Sequence, residues 1–129
     1  MKKDNPTIMI IESRTSEMTS GLLQQRGYRV IEEESLGQAV EDVMDFTSRN
    51  CPDVILLDLN QLCPDESWMV HILRSGAQKP NMPIIGMAES DEAAAQQTTN
   101  TMGCNRFFSR PNGIGQLTTM IDDLLSQAV

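Results

Sequence analysis

Five apolar runs of strand length recur along the chain: Thr7 to Ile11, Tyr28 to Ile31, Val54 to Leu57, Pro83 to Met87 and Arg106 to Phe108. Their β-branched residues and flanking turn residues mark them as buried strands, although periodicity alone does not separate a short apolar strand from a piece of helix. Between them the apolar spacing turns helical. Met18, Leu22 and Leu23 form one face, closed by Gly27. Leu36, Val40, Val43 and Met44 form a second, with Ser35 and Gln38 spaced as a capping box at its start. Trp68, Ile72 and Leu73 predict a third, ending near Gly76. A fourth begins at Ser90, with Asp91 and Glu92 in its first turn where acids suit the helix dipole, and stops before Gly103. Leu117, Ile121, Leu124 and Leu125 mark the last helix. Five strands alternating with five helices at short spacing predict an α/β sandwich around a doubly wound parallel sheet.

The whole of residues 1–129 reads as one domain, without a linker, repeat or low-complexity segment. Any effector domain would lie outside this chain. Aromatic residues are only 4% of the composition, so aliphatic side chains and nine Met must fill the interior. A net charge of −8 argues against nucleic acid, whose phosphates the surface would repel. No apolar run approaches the ~20 residues of a membrane span. The first residues, Met1 to Pro6, lead directly into a strand-like segment that leaves no room for a signal-peptide core. A cytoplasmic location without membrane contact is therefore expected. Cys51, Cys63 and Cys104 have neither metal-ligand nor redox spacing and are read as reduced thiols. His71 has no nearby His or Cys partner and is read as a structural residue on a helix.

In an open parallel sheet, chemistry gathers beyond the carboxyl ends of the strands, where the strand order reverses. The common order 2-1-3-4-5 sets strands 1 and 3 side by side at that point. Glu12 and Ser13 leave strand 1, and Asp58 leaves strand 3. Two carboxylates across one crevice suit Mg²⁺, with water and phosphate oxygens completing its octahedron. The plainer reading of Asp58 is a loop residue bonded to its own turn, and its register with Glu12 favours the functional one. Strands 4 and 5 deliver Ala88 and Arg110 to the same edge, and Arg110, preceding Pro111, is expected to be extended. From spacing alone a solvated surface Arg is an equal reading of Arg110.

Several of these segments resemble the receiver domains of two-component response regulators (the CheY-like family). They are Ile8-Met9-Ile10-Ile11-Glu12-Ser13, Pro52-Asp53-Val54-Ile55-Leu56-Leu57-Asp58-Leu59-Asn60, Pro83-Ile84-Ile85-Gly86-Met87-Ala88 and Gly103-Cys104-Asn105-Arg106-Phe107-Phe108-Ser109-Arg110-Pro111. The resemblance covers almost the whole chain, and its third-strand segment is the most specific. It implies a single (βα)5, flavodoxin-like sheet in the order 2-1-3-4-5. It also implies a phosphoacceptor in a phosphorelay rather than an enzyme, receiving a phosphoryl group from a sensor histidine kinase or phosphotransfer protein and passing the signal to an output protein. Asp58 matches the phosphoacceptor, and Asn60 the residue whose backbone carbonyl holds the metal with Glu12 and Asp58. Ala88, Phe107 and Arg110 stand at the phosphoryl-contact and switch positions.

The departures from the family pattern are chemical. The acidic pair after strand 1 is Glu12-Ser13, so one metal carboxylate is replaced by a hydroxyl and Mg²⁺ is expected to bind weakly. The strand 4 hydroxyl is Ala88, and the strand 5 Lys is Arg110, which keeps the charge but changes its geometry. The loop Gln61 to Ser67 is also unusual for the family. Two functions therefore compete. One is a phosphorylatable receiver that docks a partner through its fourth helix, fifth strand and fifth helix. The other is a pseudo-receiver, a protein-interaction module whose output ignores phosphate. A flavodoxin-like electron carrier is a third reading, because Ser13, Thr15, Ser16, Thr19 and Ser20 superficially resemble a phosphate loop. That segment has no Gly to let backbone N–H groups wrap a phosphate, and a helix start capped by Thr15 or Ser16 explains it better.

Overall fold

The computed structural model describes residues 6–11, 17–44, 52–58, 67–76, 83–88, 104, 106–109 and 114–127. Five strands, β1 (Thr7–Ile11), β2 (Arg29–Glu33), β3 (Val54–Asp58), β4 (Ile84–Ala88) and β5 (Arg106–Ser109), form one parallel sheet in the order β2-β1-β3-β4-β5. Helices α1 (Glu17–Gln25), α2 (Leu36–Met44) and α3 (Ser67–Gly76) and a C-terminal helix (Ile114–Gln127) accompany it. The helix expected after Ser90 lies outside the described residues.

Alternation along the strands builds two cores, one on each face of the sheet, because successive strand residues point to opposite sides. Ile8, Ile10, Val54, Leu56, Ile85, Met87 and Phe108 face Leu23 of α1 and Leu117, Ile121 and Leu124 of the C-terminal helix. Met9, Ile11, Ile55, Leu57 and Ile84 face Ala39 of α2 and Val70 and Leu73 of α3. β3 is buried at every position, as the central strand of a sheet covered on both sides must be.

Local signals place the helix ends as the sequence predicts. Gly27 adopts φ 93°, the left-handed conformation that costs glycine little. Its N–H bonds to the Gln24 carbonyl at 3.0 Å, and the Tyr28 N–H bonds to the Leu23 carbonyl at 3.1 Å, which closes α1 in a Schellman turn. The Ser35 hydroxyl oxygen accepts the Gln38 N–H at 3.2 Å and caps α2.

Four strands end later than expected. β2 runs two residues further, through Glu32 and Glu33; β3 and β4 include Asp58 and Ala88; and β5 extends to Ser109. The expected apolar face of α3 is corrected as well. Val70 and Leu73 are buried and Ile72 is half-buried, but Trp68 is 54% exposed. Two overlapping apolar stripes are written into this helix, and the sheet covers the one through Val70 and Leu73.

Polar bonds tie distant segments together. The Asp53 carboxylate accepts the Thr7 N–H at 2.8 Å, and the Asp53 N–H reaches the Thr7 carbonyl at 2.7 Å, joining β1 to β3 at the amino edge. The Ser20 hydroxyl donates to Glu32 at 2.5 Å, fixing α1 on β2. The Tyr28 hydroxyl donates to Asp122 at 2.6 Å, linking the start of β2 to the C-terminal helix. Burial, then this bond and the Asp122 charge, push the Tyr28 phenol well above its ordinary value of 10.0, against a smaller opposing effect of Arg26. The raised value means that the fold favours the neutral phenol. Its contribution is complete below about pH 10 and is lost as pH rises through the folded value. Tyr28→Phe is expected to cost about 1–2 kcal/mol at neutral pH in urea unfolding. The gap to the wild type should narrow above about pH 10.

Candidate functional site at the carboxyl edge of the sheet

The chain runs from β1 outward to β2, then returns across β1 to enter β3. The order therefore reverses between β1 and β3, the place beyond the carboxyl ends of the strands where open parallel sheets bind their ligands. Ile11, the last residue of β1, pairs with Leu57, and Asp58 follows Leu57 as the last residue of β3. Asp58 pairs in turn with Met87 of β4, and Ala88 with Ser109 of β5. The strands thus carry Asp58 and Ala88 to one edge of the sheet, on neighbouring strands and one register step apart.

Asp58 is 7% exposed. So enclosed a carboxylate is uncommon, and a structural partner or chemistry keeps it there. β3 shows both uses at its two ends. Asp53, at the amino end, is buried with Thr7 as its backbone partner. Asp58, at the carboxyl end, stands beside the switch point.

Ala88 is 8% exposed and brings no hydroxyl to the edge. Phe107 is half-buried on β5 and pairs with Gly86 of β4. Glu12, Ser13, Asn60 and Arg110, the other expected site residues, lie outside the described residues, as does the loop from Leu59 to Glu66. Among the described residues, no three His, Cys, Asp or Glu side chains gather into a cation site.

Sequence reasoning missed Glu33. The strand was expected to end at Ile31, which left Glu33 outside it. Instead Glu33 closes β2 as a buried residue, paired with Ile11 at the same edge. The alternation of Val30 and Glu32 against Ile31 and Glu33 was the available signal. Glu33 does not replace the carboxylate missing at Ser13. It lies two strands from β3, about 10 Å away at ordinary strand spacing.

No helix among the described residues is long and apolar enough to cross a membrane. No family model matches the sequence, and no curated protein is significantly similar to it. Solved structures do resemble it. A response-regulator receiver protein from Burkholderia phymatum superposes with a TM-score of 0.78 at 16% identity, over 95% of this chain and 96% of that one. One from Sinorhizobium medicae gives 0.76 at 22% identity, over 97% and 98%. The receiver domain of a sensor histidine kinase from Pseudomonas aeruginosa gives 0.75 at 20% identity, over 95% and 98%, and its structure holds a magnesium ion in the active-site cleft. With its five parallel strands in the order 2-1-3-4-5, this chain has the flavodoxin-like (βα)5 fold of the CheY-like receiver domains.

Proposed function

We propose that residues 1–129 act as one receiver domain of a phosphorelay, with Asp58 accepting a phosphoryl group from a sensor histidine kinase or phosphotransfer protein. The observation that carries the reading is the enclosed Asp58 carboxylate at the end of the central strand, beside the switch point of a receiver-type sheet. A carboxylate oxygen of Asp58 attacks phosphorus as the bond from phosphorus to the donor nitrogen breaks, leaving an acyl phosphate. Such a transfer asks the protein for alignment and for neutralisation of charge on the phosphoryl oxygens. Arg110, one residue beyond β5, supplies positive charge in this reading.

The donor chemistry fits Mg²⁺ in kind but is short of one carboxylate. Glu12, Asp58 and the Asn60 carbonyl would hold the ion, which when bound neutralises phosphoryl charge. Millimolar Mg²⁺ is therefore expected to cause little or no saturable change in Trp68 fluorescence. A tight saturable response that disappears in Asp58→Asn would show that two carboxylates suffice.

Signalling by contact with an output protein is supported by a groove of about 610 Å³ between β5 and the C-terminal helix, lined by Arg106, Gln116, Thr119, Met120 and Asp123. A second reading, the pseudo-receiver, is favoured by one observation: β4 ends in Ala88, which offers the phosphoryl group no hydrogen bond. Treatment with acetyl phosphate separates the two. A phosphoryl adduct seen by intact mass supports the first, and a folded protein that takes none supports the second.

A further inference from the structure

β2 ends the sheet on one side, with β1 as its strand partner among the described residues. The Arg29 N–H donates to the Pro6 carbonyl at 2.9 Å, so Arg29 turns its backbone groups inward, toward β1. Strand geometry repeats every second residue, and Val30 and Glu32 therefore turn their N–H and carbonyl groups outward. An edge of this kind is a template for another chain unless Lys, Pro, a bulge or a covering segment blunts it. Arg29 to Glu33 contains neither Lys nor Pro. Its register with β1 advances residue by residue from Thr7 and Arg29 to Ile11 and Glu33, without a bulge. Val30 and Ile31 are only half-buried, whereas the central strand β3 is buried throughout.

The charges of β2 choose the partner. A two-fold axis brings two copies of a strand together antiparallel, with one residue lying opposite itself. With Ile31 on the axis, Val30 of each copy faces Glu32 of the other, and these outward-facing residues exchange backbone hydrogen bonds. Arg29 of each copy then lies opposite Glu33 of the other, which sets an opposite-charge pair at both ends of the ladder. Centring on Val30 would set Arg29 opposite Ile31 and form no such pair. Centring on Glu32 would set that acid opposite itself. Opposite charges across an antiparallel pair stabilise it and like charges destabilise it, so the register through Ile31 is the one the charges select.

We propose that the β2 edge binds β2 of a second copy of this chain, antiparallel and centred on Ile31, so that one sheet continues through both copies. This edge lies at the opposite end of the sheet from β5, and the pairing does not involve Asp58. The net charge of −8 on each copy repels the other at long range, so the pair forms at high protein concentration rather than at trace levels.

Sedimentation equilibrium of the whole chain tests the pairing. The weight-average mass is expected to rise with concentration toward twice that of one chain, and not past it. In Arg29→Glu an acid stands opposite Glu33 at both ends, and the pair should weaken at least about tenfold. Glu32→Pro removes an outward N–H while leaving the bonds to β1 in place, and should abolish the pair. Circular dichroism shows that each variant is folded. The register has its own test, with Cys51, Cys63 and Cys104 replaced by Ser. Residues opposite each other at a non-hydrogen-bonded antiparallel position are close enough for a disulfide. Ile31→Cys should therefore oxidise to a linked dimer, and Arg29→Cys, away from the axis, should not. A mass that stays at one chain even at a concentration on the order of 1 mM overturns the proposal. So does a mass that climbs past two chains, a pair that persists in folded Arg29→Glu and Glu32→Pro, or an Ile31→Cys pair that does not cross-link. If one variant fails to fold, the other decides together with the cross-link.

Discussion

Ala88→Thr should bind beryllofluoride at Asp58 at least about tenfold more tightly than the wild type. β4 ends at Ala88, next to Met87, the register partner of Asp58, so position 88 borders the place where a phosphoryl group would stand. A hydroxyl there donates a hydrogen bond to an anionic oxygen, and bonds to charged groups contribute about 1.5–3 kcal/mol. At about 1.4 kcal/mol per factor of ten, that is one to two orders of magnitude in affinity. The site is enclosed, at 8% exposure, so the extra volume costs some stability. Ala88→Val carries almost the same added volume without the hydroxyl and serves as the control. Equal affinities for the Thr and Val variants would mean that position 88 does not face the phosphoryl site.

The largest effect on the fold is expected from Leu56→Ala. Leu56 is fully buried in the middle of β3, in the core shared with α1 and the C-terminal helix. Truncation removes apolar contacts and leaves a cavity that a strand with neighbours on both sides closes poorly, at a cost of about 3–5 kcal/mol. Against a typical total of about 5–15 kcal/mol, the variant should be near the limit of folding at ambient temperature. Trp68→Ala, by contrast, should change stability by less than about 1 kcal/mol despite removing the largest side chain of α3. Urea unfolding of the two variants measures both. A loss at Trp68 as large as that at Leu56 would contradict the exposed placement of the indole.

These two residues also show what the sequence makes legible. Val54 to Leu57 is an uninterrupted apolar run, because both faces of the central strand are covered, and such a run leaves little doubt about what buries it. The break from Leu57 to Asp58 marks the carboxyl edge for the same reason. Trp68 was misread because α3 has two apolar stripes, and only the position of the sheet chooses between them. Glu33 was missed because an acid buried at a strand end looks, in sequence, like an acid in solvent.

The pairs that fasten the fold were out of reach. Asp53 reaches the Thr7 amide 46 residues away, and Tyr28 reaches Asp122 across 94 residues. Neither pairing leaves a local pattern, so each can be known only once the strands are in register. Candidate chemistry was easier to read than these fastenings because Asp58 announces itself by ending an apolar strand.

The most direct test of Asp58 as the acceptor is intact-mass measurement and peptide mapping of wild type and Asp58→Asn after treatment with acetyl phosphate and Mg²⁺. An amide at position 58 keeps the shape of the side chain but lacks the nucleophilic carboxylate oxygen. The account predicts one phosphoryl adduct on the wild type, mapped to the peptide containing Asp58, and none on the folded Asp58→Asn protein. An adduct that persists in Asp58→Asn, or a folded wild type that takes none, would contradict it.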